Sequence, residues 1–202
     1  MTPTRTLTAH CTLSQDGLPL LTIDNEHARA EISLFGAHVL RYQRHGEPAS
    51  LWLSDKAILD GSKPIRGGIP LCWPWFGPSP ARVGSGKPAH GFARNCLWTL
   101  DGVSDHGDGT LVHLSLRDND ASRTLWPHAF ELELDVLVGK ELSLVLTTRN
   151  TGKSALTYNA ALHTYLQISA PEAVTVTGLG EPYLDKLTGR NELQQEIGRA
   201  HV

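Results

Sequence analysis

The sequence predicts an all-β protein, a sandwich or barrel of short strands, and three observations carry that prediction. Apolar and polar residues alternate with period two through residues 129–150; short β-forming runs recur between turn-formers; no window of a dozen residues shows a helical period. In chain order, LLTIDN (20–25), ARAEISL (28–34), HVLRYQ (38–43) and SLWLSD (50–55) read as short strands. Residues 60–91 differ: prolines and glycines crowd a long, ordered segment of the kind that carries function. Beyond it Val112, Leu114 and Leu116 alternate again. AFELELDVLVG then sets Phe130, Leu132, Leu134, Val136 and Val138 on one face and Glu131, Glu133 and Asp135 on the other. After a turn at Gly139 and Lys140, KELSLVLTTRN repeats the pattern with Leu142, Leu144 and Leu146. ALTYNAALHTYLQIS (155–169) reads as extended, with Tyr158 and Tyr165 as β-formers. No internal repeat, heptad or low-complexity linker is visible.

Composition excludes several functions. The 202 residues suit one domain with a real core. A formal net charge of −3, from 18 basic and 21 acidic residues, is too balanced for a nucleic-acid or polybasic membrane binder. No apolar run is long enough to span a bilayer, and MTPTRTLTAHCTLSQDG lacks the apolar stretch of a signal peptide. Cys11, Cys72 and Cys96 are odd in number and have no CxxC spacing, so reduced thiols in a cytoplasmic protein are expected. The ten histidines are scattered without metal-ligand spacing, and neither a P-loop nor GxGxxG occurs.

The chemistry-bearing residues fall in and near the Gly/Pro-rich segment. His90 sits at a tight backbone between Ala89 and Gly91, and Arg94 follows four positions later; on a strand both would share one face. A structural histidine and a surface arginine are the plain alternatives. Arg66 precedes Gly67 and Gly68, which would let backbone approach a ligand and offer N–H groups to an anion; a simple Gly-Gly turn is the alternative. An arginine fork suits phosphate. His163, flanked by Leu162 in an expected buried strand, is either a satisfied core histidine or a proton donor. Trp73, Trp75 and Phe76 are either loop packing, the safer reading, or an apolar wall for a sugar ring.

Four blocks, RGGIPLCWPWFG (66–77), KPAHGFARN (87–95), LWPHAFELEL (125–134) and ALHTYL (161–166), followed by VTVTGLGEPYLDKLTG (174–189), together resemble the glucose-6-phosphate 1-epimerase, or hexose-6-phosphate mutarotase, branch of the aldose 1-epimerase family. The resemblance implies a galactose-mutarotase-like β-supersandwich of two large antiparallel sheets. It implies interconversion of the α and β anomers of a hexose 6-phosphate by ring opening and reclosure, with no cofactor and no essential metal. His163 would be the general acid at the ring oxygen, His90 would hydrogen-bond near that oxygen, and Arg66 and Arg94 would bind substrate. Two departures stand out. Ala89 occupies a position where some members carry glutamine, and the family's base glutamate lies beyond the Tyr-x-Asp-Lys segment. None of Glu172, Glu181, Glu192 or Glu196 sits in a matching context, so the resemblance implies an acid without its base, a sandwich lacking its C-terminal strands, and a chain inactive by itself. The expected partner is a small hexose phosphate, with no nucleic acid and no membrane, bound by a monomer. Two alternatives remain open: a non-catalytic sugar-phosphate binding module on the same fold, and a mutarotase for unphosphorylated aldoses. Residues 1–195 are expected to form a single domain. EIGRAHV (196–202) follows no earlier pattern and back-translates as GAG-ATC-GGA-AGA-GCA-CAC-GTC, adapter-like DNA read in frame, so a non-native tail is expected there.

Overall fold

Where the sequence alternates, two antiparallel sheets form. The computed structural model describes residues 4–177, 183–185 and 190–192. The chain divides into two compact units, Met1–Leu166 and Gln167–Val202. In the first unit, β1 (Arg5–Thr6), β2 (Cys11–Ser14), β3 (Leu20–Asp24), β4 (Ala28–Ser33) and β5 (His38–Arg44) pair in chain order as a five-stranded meander. Register stacks Cys11 and Ala30 on either side of Ile23, and Leu13 and Ile32 on either side of Leu21. All of these are buried, whereas Thr22 and Asp24 on the opposite face of β3 are exposed.

The chain then runs through residues 45–98, which carry the two-residue strand β6 (Leu71–Cys72). The second sheet follows: β7 (Thr99–His106), β8 (Gly109–Arg117), β9 (Phe130–Gly139) and β10 (Leu142–Asn150), in the order β10-β9-β8-β7. Phe130, Leu132, Leu134, Val136 and Val138 are buried as the alternation requires, and pack in one core with Leu21, Ile23 and Ile32 of the first sheet. The outer face is ionic, with Glu131 bridging Arg117 at 2.6 Å and Arg149 at 3.5 Å. One buried polar residue ties the sheets together. Asn25 donates to Thr110 Oγ1 and to the Val138 carbonyl while its Oδ1 accepts from the amides of His27 and Ala28. β11 (Ala161–Leu162) returns to pair antiparallel with β6. In the second unit β12 (Tyr183–Asp185) pairs with β13 (Arg190–Glu192). The expected tail at 196–202 lies outside the described residues, as do Glu181 and Glu196.

Two local expectations need correction. SLWLSD is not a strand: Leu51 and Leu53 form isolated bridges to Leu166 and Gly67, because both partners are irregular segments along which pairing cannot propagate. A six-residue helix, α1 (Asp120–Leu125), occurs where none was expected. It is too short to show a period, but Asn119 caps it, accepting from the Ser122 amide while Ser122 Oγ accepts from the Asn119 amide. Among the described residues no helix is long and apolar enough to cross a membrane.

Candidate active site

His90 is held by the Gly/Pro/Trp segment from several directions. Its backbone is left-handed, φ 63°, and its amide donates to the Gly77 carbonyl at 2.7 Å. The Gly77 amide donates back to His90 Nδ1 at 3.2 Å, which leaves the proton of the neutral ring on Nε2. The next residue must be glycine: a Cβ on Gly91, at φ 71°, would lie 1.9 Å from the Trp73 carbonyl. Trp73 and Trp75 are fully buried, and Trp75 Nε1 donates to the Pro88 carbonyl. These two tryptophans are therefore packing, and only Phe76 turns its ring toward the site.

Arg94 does not share a strand face with His90, as their spacing suggested. Ala93–Asn95 is a 3₁₀ turn, and that turn carries the half-buried guanidinium back over the loop, where Nη2 donates to the Ala89 carbonyl at 2.9 Å. Arg94 Nε is buried without a hydrogen-bond partner among the described residues. Arg66 is exposed, and the glycines after it serve the protein's own backbone. A Cβ on Gly67 would meet the Trp52 carbonyl at 2.6 Å, and one on Gly68 the Val39 carbonyl at 2.3 Å. The Gly68 amide is already donated to the Trp52 carbonyl, so it is not the anion-binding N–H that the sequence suggested. His38 lies beneath this turn, 1 % exposed, with Nε2 2.7 Å from the Gly67 carbonyl. Burial pushes its pKa down to about 4, the bond to Gly67 opposes that shift, and the Arg94 charge adds to it.

His163 is half-buried rather than in a closed core, because β11 ends at Leu162 and the following residues run as an irregular edge. Its amide donates to the Pro70 carbonyl, and the Tyr165 amide donates to the Gly68 carbonyl, which lays this segment alongside the loop that bears Arg66. Four rings gather as a result. His163 is 6.0 Å from His90, 5.7 Å from Phe76 and 5.0 Å from Tyr165, centroid to centroid, and Phe76 is 4.8 Å from His90. Asn159 fastens Phe76 there, accepting from its amide at 2.7 Å.

Beside the rings opens a cleft of about 540 Å³ whose wall includes Lys56, Lys63, Arg66, His90, Arg94 and Tyr165. Its charge is all of one sign, since no carboxylate lines it among the described residues. His163 is not on this wall but abuts two residues that are. The structure thus brings together all four residues the sequence singled out, His90, His163, Arg66 and Arg94. Sequence reasoning missed Lys56, Lys63 and His38 and gave Tyr165 no part. The lysines lie in a stretch without motif, and GAHV carries no signal that its histidine sits beneath a turn some thirty residues away. Among the described residues no group of three or more His, Cys, Asp or Glu side chains is placed to hold a metal ion.

The two-sheet antiparallel sandwich is shared with galactose mutarotase-like proteins. One of these, from Lactobacillus casei, superposes with a TM-score of 0.54 at 23 % identity, covering 67 % of this chain and 45 % of its own. The chain belongs to the aldose 1-epimerase family, whose sequence model matches residues 19–196. An Escherichia coli K12 protein named "Putative glucose-6-phosphate 1-epimerase" is 37 % identical over 177 residues, which is 88 % of this chain and 58 % of the relative. The crystal structure of a "putative mutarotase (YeaD)" from Salmonella typhimurium matches with a TM-score of 0.88 at 33 % identity, over 97 % of this chain and 65 % of that one. The chain thus spans 58 % of the length of its Escherichia coli relative.

Proposed function

We propose that this chain binds a hexose 6-phosphate and carries the acid side of its anomer interconversion. The observation behind the reading is the juxtaposition of four cations, Lys56, Lys63, Arg66 and Arg94, with the His90 imidazole on a cleft wall that has no carboxylate among the described residues, and with His163 beside His90. Such a site attracts a dianion and sets a proton donor beside it. His163 would protonate the ring oxygen as the C1–O5 bond breaks, while a base takes the C1 hydroxyl proton. Rotation about C1–C2 and reclosure on the other face of the aldehyde give the second anomer. His90, with its proton on Nε2, would donate near the ring oxygen. The Escherichia coli relative's name agrees with glucose 6-phosphate as the hexose. The cationic wall argues against an unphosphorylated aldose.

A second reading, sugar-phosphate binding without turnover, is favoured by the same lack of a lining carboxylate, since among the described residues the base has no candidate on that wall. Exchange NMR between the anomer signals of glucose 6-phosphate, with and without formate as an external base, separates the two. The proposal expects glucose 6-phosphate to bind in preference to glucose. It expects formate-dependent exchange that falls about 10²–10⁴-fold in His163→Asn. Preferential binding with no exchange above the spontaneous rate in either condition assigns the second reading. Equal binding of glucose overturns both.

A further inference from the structure

We propose that His38 is a positioning residue for the cationic cleft: its imidazole fixes the Gly67 carbonyl and through it the backbone from which Arg66 projects. The inference rests on reading the cleft as a phosphate-ester site.

The 66–68 turn is tied at four backbone atoms. The Arg66 carbonyl accepts from the Ser54 amide at 3.1 Å, the Gly68 amide donates to the Trp52 carbonyl at 2.7 Å, and the Gly68 carbonyl accepts from the Tyr165 amide at 2.9 Å. The fourth tie, at the Gly67 carbonyl, comes from a side chain, the His38 ring at 2.7 Å. That ring stands on a rigid support. His38 opens β5, pairs with Ser33 of β4, and is followed by Val39, whose carbonyl accepts from the Ile69 amide at 2.9 Å. The fit over the ring is close, since a Cβ on Gly68 would lie 3.0 Å from His38 Nε2. Because a carbonyl can only accept, the imidazole must carry its proton on Nε2. The Arg94 charge acts on the same ring. A neutral donor suits a place within reach of that guanidinium, where a lysine or a charged imidazole would repel it. His38 thus lies in contact with the turn that bears one cleft arginine and within the field of the other, yet is itself closed to solvent.

A histidine that merely filled the core would affect stability alone. A positioning role predicts a selective effect on phosphate binding. Calorimetric titrations of glucose 6-phosphate, inorganic phosphate and glucose into wild type, His38→Met and His38→Gln test it. Methionine fills much of the volume without a donor; glutamine restores an N–H. His38→Met is expected to weaken binding of both phosphate-bearing ligands by roughly tenfold, and His38→Gln to stay within about threefold of wild type, with glucose unchanged throughout. Equal phosphate affinity in wild type and His38→Met overturns the positioning role and leaves the cleft reading standing. Failure of wild type to prefer glucose 6-phosphate to glucose overturns both. Where neither variant melts cooperatively, long-range proton–nitrogen NMR of the wild-type ring decides. The Nε2–H tautomer, with a resonance that moves on addition of inorganic phosphate, is expected; an Nδ1–H tautomer, or a resonance unmoved by phosphate, rejects the role.

Discussion

At the scale of single residues, the site depends on how each imidazole is placed. His90 is exposed enough to meet a ligand, and its tautomer is set by one backbone amide. His163 abuts the cleft wall through Tyr165 and His90. His38 is buried and neutral, and this has a consequence for stability. Its pKa is about 4 in the fold against 6.5 for a solvated imidazole. Above pH 6.5 both states hold the ring neutral, so the group contributes no pH dependence there. As pH falls from 6.5 toward 4, the unfolded chain takes up the proton and the folded one does not, so stability is lost on acidification. The loss is on the order of 3 kcal/mol by the lower end of that window. Urea unfolding at neutral and acid pH is expected to show a smaller acid loss in His38→Gln than in wild type. Parallel losses in the two proteins would mean that His38 titrates normally.

At the scale of elements, the candidate site sits on irregular backbone that regular strands hold in place. The loop from β6 to the 3₁₀ turn is braced by contacts that tolerate no side chain at Gly91. Gly91→Ala places a Cβ against the Trp73 carbonyl, 1.9 Å away before any shift. The strain is expected to lower stability by roughly 2 kcal/mol and to displace His90. Thermal melts and the anomer-exchange rate should both fall. A variant with wild-type melting and exchange would show that the loop yields freely there. Alternation made the long strands legible: every alternate residue from Phe130 to Val138 is buried. It failed for SLWLSD and α1 because neither is set by a periodic face. The first is shaped by its irregular neighbours and the second by a cap.

At the scale of the whole molecule, two sheets share one core, and a few polar residues set how they meet. Asn25 satisfies four partners on both sheets, and the Tyr42 hydroxyl donates across to the Gly139 carbonyl at 2.9 Å. Asn25→Ala removes four hydrogen bonds at the sheet junction and is expected to cost about 3 kcal/mol, against about 1 kcal/mol for Tyr42→Phe. Denaturant midpoints of the two variants check the ranking; equal midpoints would show that the apolar faces alone align the sheets. The same inter-sheet packing gives the loops a fixed platform, on which the cleft is assembled from segments as far apart as Lys56 and Tyr165.

The sequence by itself determined the sheet class, the strands with a buried face, and the four residues, Arg66, His90, Arg94 and His163, that lie together. These were legible because period-two alternation reports burial directly and because the blocks that carry those residues are distinctive. Only the tertiary structure decided which rings border the cleft and which fill the core, that the Gly68 amide is donated internally, that two lysines join the arginines, and that the His38 ring bonds the turn above it. Each of these is a contact between segments remote in the chain, and hydrogen-bond partners and burial at such contacts depend on where the loops close rather than on any local pattern of residues.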